Sequence, residues 1–469
     1  MSQYYLAVDI GASSGRHILG WVEDGIMKLE EIYRFENGMQ QVGEHLCWDT
    51  KGLFNEIKNG LKKCKEIGKI PVGMGIDTWA VDYVLMDGNN EILGNTYAYR
   101  DGRTKGMDEE VYQIIPLPDL YAKTGIQKLM FNTIYQLMAA KIQEPEQLEK
   151  AETFLMIPDY FNYLLTGNKL QEYTNATSTQ LVNAVTNEWD YELIDQLGLK
   201  SSLFQSLSMP GTIVGGFTKE IEEEIGFTCE VVLPATHDTG SAVMAVPTLT
   251  EECLYISSGT WSLMGIENDK AICTAESMEK NFTNEGGYDY RYRYLKNIMG
   301  LWMIQSVRHE INDRYSFAEI CKYAEEECDF PTRVDVNDTC FLAPANMTAE
   351  IQNYARRTKQ EVPVSIGELA TVIYQSLAES YAKTKQEIEE ISQKKFSSIN
   401  IVGGGSNAAY LNQLTANKAE CIVYAGPGEG TAIGNLMAQM IRSGEFSGLQ
   451  EARKSVYDSF EVKNYKPEL

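Results

Sequence analysis

A histidine and an aspartate stand side by side at residues 237 and 238, where an apolar segment gives way to small residues. The apolar segment predicts the end of a buried strand, and the residues after Asp238 predict a helix. At such a position a carboxylate could accept the proton of a substrate hydroxyl as a general base, and His237 could hydrogen-bond the same molecule. The alternative interpretation is that Asp238 caps the helix.

A second carboxylate, Asp9, ends the first predicted strand and faces a turn of small residues, 11–16. A turn of this kind lets backbone N–H groups approach phosphate oxygens, and Ser13, Ser14 and Arg16 would add donors. A plain hairpin is the alternative. The turn is not a Walker loop, because the chain contains no G-x-x-x-x-G-K-[ST] sequence.

Two further segments share this small-residue character. The strand–turn–strand pattern of the N-terminus recurs over residues 254–266, with its turn at 258–260. The recurrence predicts a duplicated fold with one phosphate-binding loop in each copy. Residues 403–405 are three glycines between a predicted strand and a predicted helix, so a nucleotide could lie against bare backbone there.

Trp79 and Asp82 lie at the end of another predicted strand, residues 72–79. A tryptophan and a carboxylate suit sugar recognition, by stacking and by hydrogen bonds to hydroxyls. They suit a buried structural pair equally well. The Asn, Thr and Tyr residues at 131–133 and 172–177 could likewise line a cleft or cap the helices predicted around them.

Weaker patterns predict the remaining elements. Residues 99–103 are expected to form a charged loop after a strand, and residues 281–287 to form a loop. Ser365 and Glu368 form the capping box of a long helix. The last strand is predicted over residues 421–424.

Length and composition exclude several classes of protein. The chain has 469 residues, which favours two or three domains with a large core. Its net charge of -25 argues against a nucleic-acid partner, whose phosphates it would repel. The apolar runs are shorter than the ~18 residues of a membrane span, and the N-terminus predicts a strand, so we expect no membrane span and no signal peptide. Nine scattered cysteines without a C-x-x-C pair indicate reduced thiols in a cytoplasmic protein and argue against zinc.

Taken together, four of these segments resemble the motifs of the FGGY carbohydrate kinases in order and spacing. They are residues 9–16, 237–239, 257–262 and 402–405. The resemblance covers nearly the whole chain, and a narrower resemblance is to the branch of that family that phosphorylates L-rhamnulose. The segments that carry the narrower resemblance are residues 76–79, 99–101, 172–177, 257–264 and 294–302.

The resemblance implies an α/β fold of two ribonuclease-H-like domains of the actin/hexokinase type, with the active site in the cleft between them. The domains would cover residues 1–245 and 246–469, with the last helices packing back on the N-terminal domain. The implied reaction is ATP-dependent phosphorylation of L-rhamnulose on its 1-hydroxyl, with Mg²⁺ near the phosphates. The implied protein is a cytoplasmic monomer or homodimer without a nucleic-acid or membrane partner.

Three alternatives remain at this point. The sugar could be another ketose, such as L-fuculose, L-ribulose or xylulose. A non-catalytic sugar or nucleotide sensor could use the same fold, although Asp238 is present and no basic helix-turn-helix segment precedes Tyr4. An actin-like filament subunit would hydrolyse ATP without a sugar.

The resemblance also implies a role for individual residues. Asp238 would be the catalytic base, and Asp9 would help to hold a hydrated magnesium ion. The family usually has glycine where this chain has Ala80, and the extra methyl group would narrow or shift the sugar pocket. The residues expected at the sugar are Trp79, Ala80, His237, Thr239 and Asn297. The residues expected at the nucleotide are Ala12, Ser13, Ser14, Gly15 and Arg16 in the first phosphate loop, Thr260 in the second, and Gln305 and Gly404.

Overall fold

The computed structural model describes residues 3–248, 250, 253–342 and 344–468, and the chain divides into two units. The first unit comprises Met1–Ala245, Asn268–Tyr294 and Thr431–Ser459, and the second comprises Val246–Glu267, Leu295–Gly430 and Phe460–Leu469. Each unit contains a mixed β-sheet together with helices, so the α/β class predicted from the sequence is confirmed.

The strands, numbered along the chain, are β1 (Tyr4–Ile10), β2 (Ser14–Glu23), β3 (Ile26–Glu36), β4 (Gln40–Val42), β5 (His45–Cys47), β6 (Pro71–Thr78), β7 (Tyr83–Met86), β8 (Thr153–Met156), β9 (Gln171–Glu172), β10 (Leu207–Ser208), β11 (Ile213–Gly216), β12 (Glu230–Val232), β13 (Leu254–Ser258), β14 (Trp261–Asn268), β15 (Thr283–Gly286), β16 (Tyr292–Met299), β17 (Ser398–Val402), β18 (Ile422–Ala425) and β19 (Lys463–Tyr465). The helices are α1 (Thr50–Glu66), α2 (Met107–Tyr112), α3 (Leu117–Thr124), α4 (Thr133–Gln143), α5 (Pro145–Lys150), α6 (Ile157–Thr166), α7 (Tyr173–Thr177), α8 (Tyr191–Gln196), α9 (Lys219–Ile225), α10 (Asp238–Met244), α11 (Ala275–Glu279), α12 (Trp302–Glu310), α13 (Phe317–Glu326), α14 (Met347–Arg357), α15 (Ile366–Ser392), α16 (Ala409–Ala419), α17 (Gly430–Ser443) and α18 (Leu449–Ser459).

The sheet of the first unit has the strand order β11-β12-β6-β1-β2-β3. Its central strand β1 pairs antiparallel with β2 and parallel with β6, and nearly all of its residues are buried, as expected of a strand covered on both faces. The register places Asp9 opposite Arg16 on one side and opposite Asp77 on the other. Two carboxylates and a guanidinium therefore lie together near the ends of three neighbouring strands.

The β2–β3 hairpin and α1 form as the sequence predicts. Asp24 and Gly25 adopt φ angles of 52° and 78°, the positive values that a tight two-residue hairpin turn requires. The Asp49 side chain caps α1 by accepting a hydrogen bond from the N–H of Gly52 at 2.8 Å. The apolar face of α1 is buried in the core of this unit.

Helix α18 and nearly all of α17 belong to the first unit, although they come late in the chain. Gly20 of β2 and Gly75 of β6 leave room for α17, because a Cβ atom on them would lie 2.5 Å from Leu436 and 2.6 Å from Asn435. The amide of Gln439 also donates to the backbone carbonyl of β1 at 3.0 Å. Helix α17 therefore packs directly on the centre of the sheet.

In the second unit, the strands follow the order β16-β14-β13-β17-β18-β19. Strand β13 pairs antiparallel with β14 and parallel with β17, as β1 does with β2 and β6. The predicted capping box begins α15: the N–H of Glu368 donates to Ser365 Oγ at 3.0 Å, and the N–H of Ser365 donates to the Glu368 carboxylate at 2.9 Å.

Four local predictions are wrong. Strand β2 already begins at Ser14, so the turn after β1 is shorter than 11–16. Strand β15 lies within the predicted loop 281–287, and β19 follows the strand expected to be last. Within the described ranges, an isolated bridge at Tyr97 replaces the strand expected before residues 99–103. All four segments are rich in small or polar residues, whose strand pairing depends on partners elsewhere in the fold.

No helix in the described part of the chain is both long enough and apolar enough to cross a membrane.

Candidate active site

Asp9 and Asp77 are the acidic pair at the ends of β1 and β6. Asp9 is buried, and Arg16 donates to its Oδ2 from Nε at 2.9 Å and from Nη2 at 2.8 Å. Asp77 is completely buried; its Oδ2 accepts a hydrogen bond from Asn435 at 2.6 Å, and its Oδ1 has no partner. Burial, and next the negative charge of Asp9, hold the pKa of Asp77 well above its usual value. The sequence motif contained Asp77, but nothing in it distinguished this carboxyl from an ordinary strand residue.

Asp238 is the first residue of α10, and the residue before it pairs with the end of β6 in an isolated bridge. Its Oδ1 accepts hydrogen bonds from Thr239, from the N–H at 2.5 Å and from Oγ1 at 3.1 Å. His237 occupies the N-cap position, and its side chain makes no capping hydrogen bond. Asp238 is therefore not the N-cap residue, although its carboxylate accepts one N–H group of the first turn of α10.

The carboxylate of Asp238 remains accessible. Its side chain keeps 33% of its exposure, and in the described part of the chain Oδ2 makes no hydrogen bond. Desolvation by the surrounding protein, together with the nearby charge of Asp9, raises the pKa of Asp238. This carboxylate has one oxygen fixed by Thr239 and the other available to a ligand, which is an arrangement suited to a general base.

His237 lies on a buried ion pair that the sequence did not reveal. Arg293 is fully buried, and its Nη2 lies 3.0 Å from His237 Nδ1. Glu285 lies 3.0 Å from Arg293 Nη1 and 3.3 Å from the same ring nitrogen of His237. The other ring nitrogen, Nε2, lies 3.5 Å from Asp238 Oδ1. The ion pair therefore holds the imidazole directly beside the candidate base.

Glu172 anchors the loop that leads to His237. Its buried carboxylate accepts hydrogen bonds from the N–H groups of Thr174 at 2.8 Å and Asn175 at 3.0 Å, and from Thr236 Oγ1 at 2.6 Å. The segment 172–177 thus uses its polar side chains to cap α7 and to join that helix to the loop. Of the two interpretations left open for this segment, the capping one fits these contacts.

Trp79 and Asp82 form a buried cluster with neighbouring residues. The rings of Trp79 and Trp48 lie 4.1 Å apart, and both indole N–H groups donate to Asp82 Oδ2, at 2.9 and 2.6 Å. Gln136 and the N–H of Tyr99 also donate to this carboxylate. Burial raises the pKa of Asp82 to about 6. These contacts fit the structural interpretation of the pair, and sugar stacking by Trp79 stays a prediction.

Ala80 precedes a strained residue. Val81 adopts a φ of 67°, in the left-handed region that β-branched residues rarely enter. The N–H of Val81 donates to Ser178 Oγ at 3.2 Å, and the carbonyl of Val81 accepts from Thr133 Oγ1 at 2.6 Å. Backbone strain of this kind is held in place where a fold needs a particular loop shape. The partly exposed methyl group of Ala80 is thereby held in one position.

The C-terminal helices hold α10 at its far end. A Cβ atom on Gly434 of α17 would lie 1.8 Å from the carbonyl oxygen of Ser241, so only glycine allows this contact. The buried Arg453 of α18 donates from Nε to the carbonyl of Met244 at 3.1 Å and from Nη2 to that of Val243 at 2.9 Å. Both helices therefore position the helix that begins with Asp238.

The first small-residue turn has two unoccupied donors. The N–H groups of Ala12 and Ser13 have no acceptor in the described part of the chain, while the carbonyl of Ser13 accepts from the N–H of Asn37 at 3.1 Å. Ser14 and Gly15 belong to β2, and a Cβ atom on Gly15 would lie 2.1 Å from the ring of Phe35. The turn can therefore offer two adjacent N–H groups to an anion, while Gly15 is required for packing.

The other predicted nucleotide residues lie in the second unit, around the ends of β13 and β17. A Cβ atom on Gly405 would lie 1.9 Å from Ser258 Oγ, whereas one on Gly404 would meet no atom within 4 Å. Helix α12, which carries Gln305, begins where the N–H of Trp302 donates to the carbonyl of Thr260 at 3.1 Å. The structure thus brings the start of α12 to Thr260, and it places the glycines at the end of β17 beside Ser258. Asn297, expected at the sugar, lies in β16 and is partly exposed.

Comparison with known proteins identifies the family. The model of the FGGY family of carbohydrate kinases matches residues 4–245 with its N-terminal domain and residues 254–443 with its C-terminal domain. A rhamnulokinase of Halalkalibacterium halodurans is 53% identical over 462 residues, which cover 98% of each chain. A rhamnulokinase of Bacillus subtilis is 42% identical over 464 residues, which cover 99% of this chain and 95% of that protein.

Solved structures share the fold at low sequence identity. A ligand-bound xylulose kinase of Lactobacillus acidophilus matches with a TM-score of 0.79 at 16% identity, covering 99% of this chain and 94% of that one. A Plasmodium falciparum glycerol kinase with ADP matches with a TM-score of 0.78 at 14% identity, covering 100% and 95%. These matches confirm the predicted two-domain fold of the actin/hexokinase type. The chain belongs to the FGGY family of carbohydrate kinases and is an ATP-dependent sugar kinase.

Proposed function

We propose that the protein transfers a phosphoryl group from ATP to the 1-hydroxyl of L-rhamnulose, giving L-rhamnulose 1-phosphate and ADP. The observation that carries the proposal is whole-chain identity of up to 53% with rhamnulokinases. A kinase for another ketose is the second candidate, because the structural neighbours include xylulose kinases and because Ala80 replaces the usual glycine. The alternative of a non-catalytic sensor gains no support from a site in which Asp238 keeps one free oxygen.

We propose Asp238 as the general base of this reaction. Phosphoryl transfer depends on alignment and charge neutralisation, and the protein must also receive the proton of the attacking hydroxyl. Thr239 fixes Oδ1 of Asp238, and Oδ2 makes no hydrogen bond within the described residues. The raised pKa of the carboxyl makes it a better proton acceptor than an exposed aspartate. His237, Thr239, Ala80, Trp79 and Asn297 are proposed as the residues around the sugar.

We propose that the phosphates of ATP bind the first turn and that Mg²⁺ lies beside them. Ala12 and Ser13 supply free N–H donors, and we include Ser14, Gly15 and Arg16 in the same loop. Thr260, Gln305 and Gly404 are the proposed nucleotide residues of the second unit. Asp9 fits a magnesium ion that keeps several water ligands, because Arg16 donates to its Oδ2, and its Oδ1 is a hard oxygen ligand of the kind that Mg²⁺ prefers. The bound ion neutralises phosphate charge.

Several finer points stay predictions: the domain boundaries, the cleft between domains, a monomeric or homodimeric state, a cytoplasmic location and the lack of a nucleic-acid partner.

A coupled assay of ADP release over a panel of ketoses tests the substrate. We expect the highest kcat/KM with L-rhamnulose, ahead of L-fuculose, L-ribulose and D-xylulose. A clear preference for one of the others, or for glycerol, contradicts the substrate and leaves the family. ATP hydrolysis without sugar, accompanied by light scattering, would favour a filament subunit. The variant Ala80→Gly should change discrimination between ketoses by roughly 1–3 kcal/mol, the scale of one methyl group in a pocket.

A further inference from the structure

We infer that Arg293 and Glu285 fix His237 as the neutral tautomer with its proton on Nε2, so that the imidazole presents a donor beside Asp238. The inference deepens the proposed function, on which it rests, by assigning two positioning residues behind the sugar site. Neither residue was found from the sequence.

The tautomer follows from the chemistry of the guanidinium group. A guanidinium nitrogen can only donate, and Arg293 Nη2 lies 3.0 Å from His237 Nδ1. Nδ1 must therefore accept, which leaves the single proton of the neutral ring on Nε2. Glu285 Oε2 also lies 3.3 Å from Nδ1, but it makes no hydrogen bond within the described residues, whereas the contact from the fully buried Arg293 is a hydrogen bond. The Arg293 contact therefore decides which ring nitrogen carries the proton.

Arg293 itself is held in place from three directions. Its Nε donates to the carbonyl of Gly286 at 3.0 Å, its Nη1 faces Glu285 at 3.0 Å, and its Nη2 faces His237. The N–H of Gly286 in turn donates to Thr177 Oγ1 at 2.9 Å, and a Cβ atom on Gly286 would lie 2.4 Å from the ring of Tyr173. These contacts hold Gly286 at the end of β15, within residues 281–287, which the sequence predicted to be a loop.

Glu285 balances the buried charge. Burial alone would raise its pKa, but the charge of Arg293 is the largest of the effects that together outweigh burial and hold the pKa of Glu285 below its usual value. The carboxylate therefore stays ionised and balances the buried positive charge of Arg293. Removing either partner leaves the other as an unpaired buried charge.

The tautomer of His237 determines which hydrogen bonds the candidate base, Asp238, can accept. With its proton on Nε2, His237 donates towards Asp238 Oδ1, 3.5 Å away, or to a sugar oxygen placed between them. Thr239 already donates twice to the same Oδ1. Within the described part of the chain, these donors are all directed to Oδ1, and Oδ2 of Asp238 is left to take the proton of the sugar hydroxyl.

Nitrogen-15 NMR of the full-length protein labelled in histidine tests the tautomer directly. The chain has four histidines, and His237→Gln assigns the signal by its disappearance. We expect the Nε2–H pattern at His237 in the wild type, with or without ketose, and its loss in Arg293→Met. An Nδ1–H pattern in the wild type overturns the inference. Because this readout needs no turnover, failure to phosphorylate L-rhamnulose would contradict the proposed function and not the tautomer.

Kinetics test whether the ion pair matters for the sugar. Glu285→Gln, which nearly preserves the shape of the side chain, should lower kcat/KM for the ketose by roughly 10–100-fold, the effect of removing partners that orient metal-bound histidines. The KM for ATP should not change. Arg291→Met is the matched control, because it removes an arginine on the same segment that faces Asp269 at 3.8 Å and not His237. An unchanged kcat/KM in a folded Glu285→Gln protein, or equal effects on ketose and ATP, overturns the positioning role.

Discussion

The two sheets repeat one arrangement of strands with different side chains at the strand ends. The order β12-β6-β1-β2-β3 in one unit corresponds to β18-β17-β13-β14-β16 in the other, with the same parallel and antiparallel pairs around the central strand. Asp9 lies opposite Asp77 in the first sheet, whereas by register Ser257 lies opposite Val402 in the second. The shared topology forms a small-residue turn in each unit. The carboxylates lie at these strand ends in the first unit, so we expect proton transfer to take place there.

The largest effect that we expect from this comparison is on kcat, because the proposed base, Asp238, lies in the first unit. Asp238→Asn keeps the shape of the side chain and removes its basicity, so we expect kcat to fall by at least ~10³-fold, within the range of general-base catalysis. The ADP-release assay measures it. By register the residue of the second unit that corresponds to Asp9 is Ser257, which carries no carboxylate, and Ser257→Ala should leave kcat far less affected. A folded Asp238→Asn protein that keeps more than about a tenth of wild-type kcat would show that another residue is the base. Loss of a general base should lower the rate by at least ~10²-fold.

Within the first unit, Arg453 of α18 holds the C-terminal end of α10. Arg453→Met leaves two helix carbonyls without their donor, so we expect a loss of about 1–3 kcal/mol in the free energy of unfolding for each of them. Urea denaturation measures the loss. Lys454→Met, at an exposed neighbouring position, is the control and should change stability little. Equal stability of the two variants contradicts a brace.

Acid should weaken the first unit through His17. Burial lowers the pKa of His17 from 6.5 to about 4, and the equivalent position in the second sheet is Met264. Between those two pH values the unfolded chain binds a proton that the folded chain does not, so stability falls as pH decreases through this window. The loss is about 3 kcal/mol. Urea denaturation above pH 6.5 and near pH 4 measures it, and His17→Gln should lose this part of the pH dependence. An unchanged pH dependence in that variant contradicts the assignment to His17.

Two neighbouring glycines after β17 have different expected roles: Gly404 in ligand binding and Gly405 in packing. A side chain on Gly404 meets no protein atom, so Gly404→Val should fold and weaken ATP binding by on the order of 1–3 kcal/mol. Titration calorimetry with ATP and with ketose, each alone, should show a change for ATP only. Gly405→Val, which collides with Ser258, should instead destabilise the fold. Loss of ketose binding in Gly404→Val would remove Gly404 from the nucleotide site.

Local sequence predicted the parts of the site that lie on one short segment. The strands ending at Asp9 and before His237, the small-residue turns and the capping box of Ser365 all follow from patterns a few residues long. The structure places them as expected, apart from the shorter first turn. The family motifs added the fold and the reaction class.

The supporting residues could not be predicted, because their partners are distant in the sequence. Arg293 lies 56 residues from His237, and Arg453 lies 210 residues from Val243. An isolated arginine in a polar segment reads as a solvated charge, and only the fold shows that both are buried. The orphan Oδ1 of Asp77 is equally invisible, since it depends on the packing of α17 over β6.

Separate binding measurements on Asp238→Asn test the central claim most directly. If the first unit supplies the base and the residues around Asp238 are held by Thr239, Arg453 and the Arg293–Glu285 pair, the variant should bind L-rhamnulose and ATP with wild-type affinities in calorimetry and form no ADP. Retained turnover, or loss of both ligands in a folded protein, would contradict the account by making Asp238 a structural residue.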